Sequence, residues 1–324
     1  GMGGGFRSVP PTGLPFAAIK PGQTRELPTR LVQLSQPDPN ASTATPAKGE
    51  KLKIGEIGQI SGDARSQKAL KRLSEEKAPT NVAQLVMWRV FAGMEWNDID
   101  RLSKAWANAH EMSLARRFVD RLDDLPKEGT GALLYQIDAP AAASVGASEA
   151  LAAALEDATI LGLKAISGIP DRPEGPAVAC KIEIRGNDAT VQVATSDSSA
   201  KAWTTSGKFT LPLSKTKGEF NANAFADALA EGVLDRLVRA QLSPGPRAKG
   251  KPTYRIKIEN ASPLILNGLG VRGDAGAKAE TPKVLSGISL SPFRSLTVPA
   301  SEETVKELGL RKGVRVVTAD LSGL

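Results

Sequence analysis

The chain has 324 residues, a net charge of +7, 41% hydrophobic and only 4% aromatic residues. That length suits two or three domains, with cores resting on Leu, Val, Ile and Ala rather than on rings. One cysteine, Cys180, excludes an intrachain disulfide, one histidine, His110, excludes paired-histidine zinc motifs, and no apolar run approaches the ~20 residues of a membrane span.

Residues 1–50 are rich in turn formers, with PPTGLP and KPGQT and a Pro/Ala/Thr/Ser stretch at 36–48 that reads as a linker. Two short extended pieces, FAAI and RLVQL, lie between them. The start, GMGGGF, shows no basic-then-apolar leader and reads as a mature or cloned N-terminus, which leaves room for a leader removed upstream.

Residues 51–128 read as a helical domain. Leu70 and Leu73 sit at helical spacing. In NVAQLVMWRVFAG, Val82, Leu85 and Val86 form one face, and Ala83, Met87, Val90 and Phe91 its neighbour. A helix apolar on most sides is buried among others. Gly93 ends it, Asn97 is the expected N-cap of the next helix, and Ile99, Leu102, Trp106 and Ala109 form its stripe. Leu114, Phe118 and Leu122 mark a further helix. Short turns between them predict a bundle or an armadillo-like array.

Residues 129–245 read as a small antiparallel α+β domain: a strand at LLYQIDA, a helix from about 147 to 165, a hairpin with a Gly-Asn-Asp turn, a third strand at KAWTTSGKFTLPL, and an amphipathic helix burying Phe225, Leu229, Val233, Leu234, Leu237 and Val238. SPGPRAKGKP, 243–252, reads as a linker. Residues 252–324 alternate in short strands, interrupted by one helix capped by Ser301, and resemble an immunoglobulin-like β-sandwich. The fold class expected is therefore α+β multidomain. Such a sandwich needs more strands than this segment offers, so residues 14–34 are expected to add an edge strand to it or to the adjacent module.

The chemistry-bearing residues form no constellation. His110 and Cys180 fall in different expected domains, and replacing either should leave function intact. GLGVRG, Gly268 to Gly273, spells a dinucleotide fingerprint, but no helix follows it to hold pyrophosphate. It reads as a glycine-rich hairpin. Asp98, Asp100, Glu111, Asp120, Asp123 and Asp124 sit among Arg and Lys at helix spacing, as on a solvated face, although paired carboxylates would serve a hydrolase. Trp88 and Trp106 read as core, packed among Leu85, Leu102 and Phe118; Trp203 is the exposed candidate for sugar stacking. The densest basic stretch, RAKGKPTYRIK, carries one aromatic, and this argues against nucleic acid.

Gln84, Trp88, Gly93 and Trp96, within residues 79–102, resemble a Gln-x-x-x-Trp helix followed by Gly-x-x-Trp in uncharacterised exported bacterial proteins. The resemblance implies export. Gln84 also resembles the glutamine of bacterial adhesin thioester domains, but the cysteine that would pair with it is absent nearby, Cys180 lying in another expected domain. A buried Gln84 is expected to hydrogen-bond backbone between packed helices.

The reading is of a non-enzymatic, secreted or periplasmic protein serving as a scaffold or binding surface at the bacterial cell envelope. Its partner would be a protein or a cell-surface glycan, with no catalytic, cofactor-binding or metal residue assigned. The alternative is a carboxylate-dependent hydrolase acting on polysaccharide or peptide.

Overall fold

The computed structural model describes residues 22, 31–37, 51, 56–60, 62–124, 132–140, 145–213, 220–247, 250, 252–273, 282–285 and 288–323. The expected strand FAAI and most of the linker 36–48 lie outside them. The chain divides into two compact units, Thr29–Pro126 and one that includes Lys127–Gly323.

The first unit is helical: α1 (Ile57–Ile60), α2 (Ala64–Glu75), α3 (Thr80–Val90), α4 (Trp96–Ser103) and α5 (Ala109–Asp120). Asp63 starts α2 by accepting the Ser66 N–H at 2.9 Å and its hydroxyl at 2.6 Å, which satisfies donors that the first turn leaves orphaned. The Ser66 hydroxyl, then the Ser66 and Arg65 backbone N–H groups, hold the Asp63 carboxyl below its ordinary value. In α3, Val82, Leu85, Val86 and Met87 are wholly buried, as a helix apolar on most sides requires. Gly93 (φ 67°) takes the left-handed conformation just beyond its end, and Met94 N–H donates to the Trp88 carbonyl at 3.0 Å. Arg72 of α2 lies over the Phe118 ring of α5 and donates to the Arg121 and Leu122 carbonyls at 2.7 and 3.0 Å, tying α2 to the turn that follows α5.

Two expectations change here. Asn97 lies inside α4, whose N-cap is Glu95. The stripe Ile99–Leu102–Trp106–Ala109 is divided among α4, the turn after it and the start of α5, because Asn108 and Glu111 form a reciprocal capping box that begins α5 at Ala109.

In the second unit, β1 (Ala132–Asp138), α6 (Val145–Leu155), β2 (Thr159–Ile160), β3 (Leu163–Ser167), β4 (Val178–Arg185), β5 (Asp188–Ser196) and β6 (Trp203–Pro212) precede α7 (Ala222–Leu237). The strands form one sheet in the order β2-β3-β1-β4-β5-β6. The expected helix 147–165 stops at Leu155. Its second half is the β2–β3 hairpin, turned through Leu161 and Gly162 at φ 53° and 78°. A Cβ at Gly162 would overlap the Asp320 carboxylate, so only glycine fits. The sheet is mixed rather than antiparallel. The α6 crossover sets β1 parallel to β3, and β1 also runs parallel to β4, an arrangement that needs a long connection. The β4–β5 hairpin forms as expected, with Arg185 opposite Asp188 across Gly186 and Asn187.

Helix α7 runs directly into β7 (Val238–Pro244), followed by β8 (Thr253–Asn260), β9 (Leu266–Gly273), β10 (Lys283–Val284), β11 (Ser289–Leu290), β12 (Ser295–Ser301), α8 (Glu302–Glu307) and β13 (Val314–Asp320). Val238, expected at the end of the helix, opens the strand. Ser243 and Pro244, expected to open a linker over 243–252, instead end β7 and pair antiparallel with Arg255 and Tyr254 of β8. Strands β12-β8-β7 form one sheet; β10, β9, β11 and β13 form another around β9. One hydrophobic core runs from Leu133 through Leu229 and Ile258 to Leu321. Asn260 is buried at a corner of this part with every amide group used. Its nitrogen donates to the Leu264 and Ser291 carbonyls at 2.7 and 3.0 Å, and its oxygen accepts from Ser262 N–H and hydroxyl at 3.0 and 2.7 Å.

Candidate binding surface

Strand alternation sorts the residues of the six-stranded sheet onto two faces. Val178, Cys180, Ile182 and Ile184 of β4, with Ala189, Val191 and Val193 of β5, are buried in the core. The opposite face carries a row of directly paired, exposed side chains across four strands: Gln136, Lys181, Gln192 and Lys208. Strand spacing places the two lysine positions about 10 Å apart. A second row holds Asp138, Glu183, Thr190 and Thr210, and a third holds Ile166, Leu134, Ala179, Ala194 and Thr205. Ile166 is 44% exposed.

Asp138 links the first two rows. Gln136 donates to it at 3.1 Å and the Lys181 ammonium lies 3.1 Å away. These two contacts, that from Gln136 first, hold the Asp138 carboxyl below its ordinary range. At one end of the face, Trp203 Nε1 donates to the Pro170 carbonyl at 2.8 Å and pins the β3–β4 connection. That bond uses the N–H edge of Trp203, the indole expected to be exposed for sugar stacking, and the residue is half-buried.

At the far edge, β6 is guarded from α7. Arg236 donates to the Lys208 carbonyl through Nε and Nη2 at 3.1 and 2.7 Å and lies over the Phe209 ring. Gly207 (φ 139°) makes room for that side chain, and Gly232 lets α7 approach the Phe209 ring so closely that any Cβ would overlap it.

The residues singled out in the sequence are placed as follows. Glu111 is wholly buried and spent on structure: it accepts Asn108 N–H at 2.8 Å and the Asn81 amide at 3.1 Å. Asp98, Asp100, Asp120, Asp123 and Asp124 are exposed; Asp98 pairs with Arg101, and Asp123 with Arg65 and Lys68. Nothing brings these carboxylates to a common cleft. Cys180 is buried in the sheet core, and burial pushes its thiol up to about 12. His110 stands at the first turn of α5, in the other unit. The GLGVRG stretch is part of β9 rather than a hairpin. Gly270 and Gly273 lie where a Cβ would overlap Thr318 of β13 and the carbonyls of Leu308 and Gly309, so these glycines serve close backbone approach. Trp88 is 3% exposed, and among the described residues its Nε1 has no acceptor. Trp106 is half-buried, and the Arg116 guanidinium lies over the Trp96 ring at 5.2 Å. Among the described residues, no group of three or more His, Cys, Asp or Glu side chains is arranged to hold a metal, and no helix is long and apolar enough to cross a membrane.

Gln84 does bond to backbone, but not between helices. Its partner is the extended stretch 31–37. Gln33 N–H donates to Gln84 Oε1 at 2.7 Å, and Gln84 Nε2 donates to the Gln33 carbonyl at 2.7 Å. Gln36 Nε2 donates to the Ala92 carbonyl at 3.2 Å. Residues 31–34, expected to extend a sheet edge, form no strand and lie on the helical unit instead, because the Gln84 amide offers their main chain the same donor and acceptor that a neighbouring strand would. The rest of 14–34, apart from Gly22, is outside the described residues.

No family model matches the chain, and no curated protein matches it.

Proposed function

We propose that the protein is a non-enzymatic, exported scaffold of the bacterial cell envelope that binds an acidic cell-wall polymer through the open face of its six-stranded sheet. The observation that carries this reading is the exposed row Gln136–Lys181–Gln192–Lys208. Lys208 and Gln192 present an ammonium and an amide at strand spacing, and Lys181 and Gln136, which also contact Asp138, extend the row to suit a repeating polymer that bears carboxylates and hydroxyls. The net charge of +7 attracts such a polymer over a longer range. The resemblance of residues 79–102 to exported bacterial proteins supports the location. We describe the C-terminal strands as an immunoglobulin-like module within this proposal. Their division into a three-stranded and a four-stranded sheet supports that description.

Co-sedimentation with purified peptidoglycan sacculi tests the binding. The parent protein should pellet at low salt and be released as salt screens the contact. The double variant Lys181→Glu/Lys208→Glu should remain in the supernatant at every salt concentration. A parent that never pellets, or a variant that pellets equally, overturns the proposal. Fractionation of cells expressing the natural gene checks export; recovery in the cytoplasm alone removes that part.

A further inference from the structure

Gln84 reads main chain, not side chain. Its amide satisfies both the N–H and the C=O of one extended residue, Gln33, at 2.7 Å each, the same exchange that one rung of a β-ladder makes. A second contact serves the orphaned end of α3, where Gln36 donates to the Ala92 carbonyl. Between them, Val32 and Leu34 are half-buried. Leu31 stays 55% exposed. The segment has neither helix nor strand of its own. Within the segment, Gln33 Nε2 donates to the Ser35 hydroxyl at 3.1 Å. What fixes it is therefore a surface that any copy of the same segment fits equally well.

We propose that the Gln84 surface of α3 is an exchange site, which accepts residues 31–37 from a second copy of this chain in place of its own. The identity of the occupant is set by the segment seated there. The connection 38–55 limits the reach of that segment from α1 to roughly 60 Å, at about 3.3 Å per residue. Exchange of an identical element is a low-cost route to a dimer, since every contact made between copies is one already made within a copy. Within one chain the segment competes at the effective concentration of a tether, on the order of mM, so the parent protein favours its own segment in dilute solution.

Two full-length variants separate the halves of the contact. Gln33→Pro removes the N–H that Gln84 accepts, and so spoils the segment while leaving the site intact. Gln84→Leu spoils the site and leaves the segment intact. Each variant alone should sediment as a monomer in analytical ultracentrifugation at 100 μM order of concentration. Mixed in equal amounts they should form a one-to-one dimer, and a labelled peptide of residues 29–37 should bind the Gln33→Pro chain at least tenfold more tightly than the parent. Circular dichroism matching the parent confirms that both variants fold. A mixture of folded variants that stays monomeric overturns the proposal, whether or not the peptide binds. So does a mixture whose association survives the further change Gln84→Leu on the Gln33→Pro chain. Neither outcome bears on the sacculus-binding face, which lies on the other unit.

Discussion

The indole of Trp106 stands edge-on to that of Trp88, with ring centroids 5.6 Å apart and planes at 72°. One ring is almost wholly buried and the other closes over it from the turn after α4. The pair therefore joins α3 to the α4–α5 connection, which Asn81 reinforces by donating to the Trp106 carbonyl at 3.2 Å. Trp88→Ala should destabilise the helical unit by about 3–5 kcal/mol, and Trp106→Ala by less. A double-mutant cycle in urea should return a coupling of about 0.5–1.5 kcal/mol. Additive effects would show that the rings do not act on each other.

Gly232 and Gly146 should respond in opposite ways to alanine. Helix propensity favours alanine at both by up to about 1 kcal/mol. Gly146 in α6 has open space where the methyl would go, whereas at Gly232 in α7 the methyl would overlap the Phe209 ring. Gly146→Ala should leave the denaturation midpoint unchanged or raised. Gly232→Ala should lower it by the equivalent of about 1–3 kcal/mol, the usual cost of overpacking.

The Cys180 thiol should be silent in the native protein. Burial holds it protonated to a pH of about 12, and the thiolate is the reactive form. A thiol reagent at pH 8 should label it only after denaturant is added, and the rate should follow unfolding. Cys180→Ser places a hydroxyl in an apolar core and should cost about 1–3 kcal/mol, without altering binding to sacculi.

Asp63 makes the stability of the helical unit depend on acid. Its folded-state pKa lies below the ordinary value of 3.8. Its contribution is therefore fully present above that value and is lost as pH falls through the lowered folded value. Asp63→Asn retains a capping side chain that does not titrate. The parent should be the more stable of the two at pH 7, and thermal melts should show the difference shrinking as the pH is taken below 3.8. A difference that persists unchanged into strong acid would show that charge at Asp63 is irrelevant.

The elements legible in the sequence are those whose signal is local. The 3.6-residue period of α3 and α7, the Gly186–Asn187 turn and the alternation of β8 each lie within one short window. Misreading set in where one period passes into another without punctuation. The stretch from about 147 to 165 reads as a continuous helix because the apolar spacing suits both states, and the glycine that the turn needs at 162 also answers to Asp320, far away in sequence. The same holds at Leu237 and Val238, where a helix becomes a strand with no break. The candidate surface was illegible for a different reason. Gln136, Lys181, Gln192 and Lys208 become neighbours only through strand register, and the parallel partners of β1 are non-local. Gln84 carried a legible demand, an amide that needs backbone, but not the address of Gln33.

Leu321 N–H donates to the Leu161 carbonyl at 2.8 Å, Asp320 fills the space over Gly162, and Arg315 of β13 grips Asp235 of α7 through its guanidinium. These contacts join residues made at very different times. At about 5–20 residues per second, the ribosome delivers Leu321 roughly 8–32 s after Leu161. Through that interval the β2–β3 turn and the inner side of α7 wait without the strand that completes them. Closure of this unit is thus timed by its last strand, and a chain stopped short of Val314 would leave the ribosome with Leu269 and Val271 of β9 uncovered along one side.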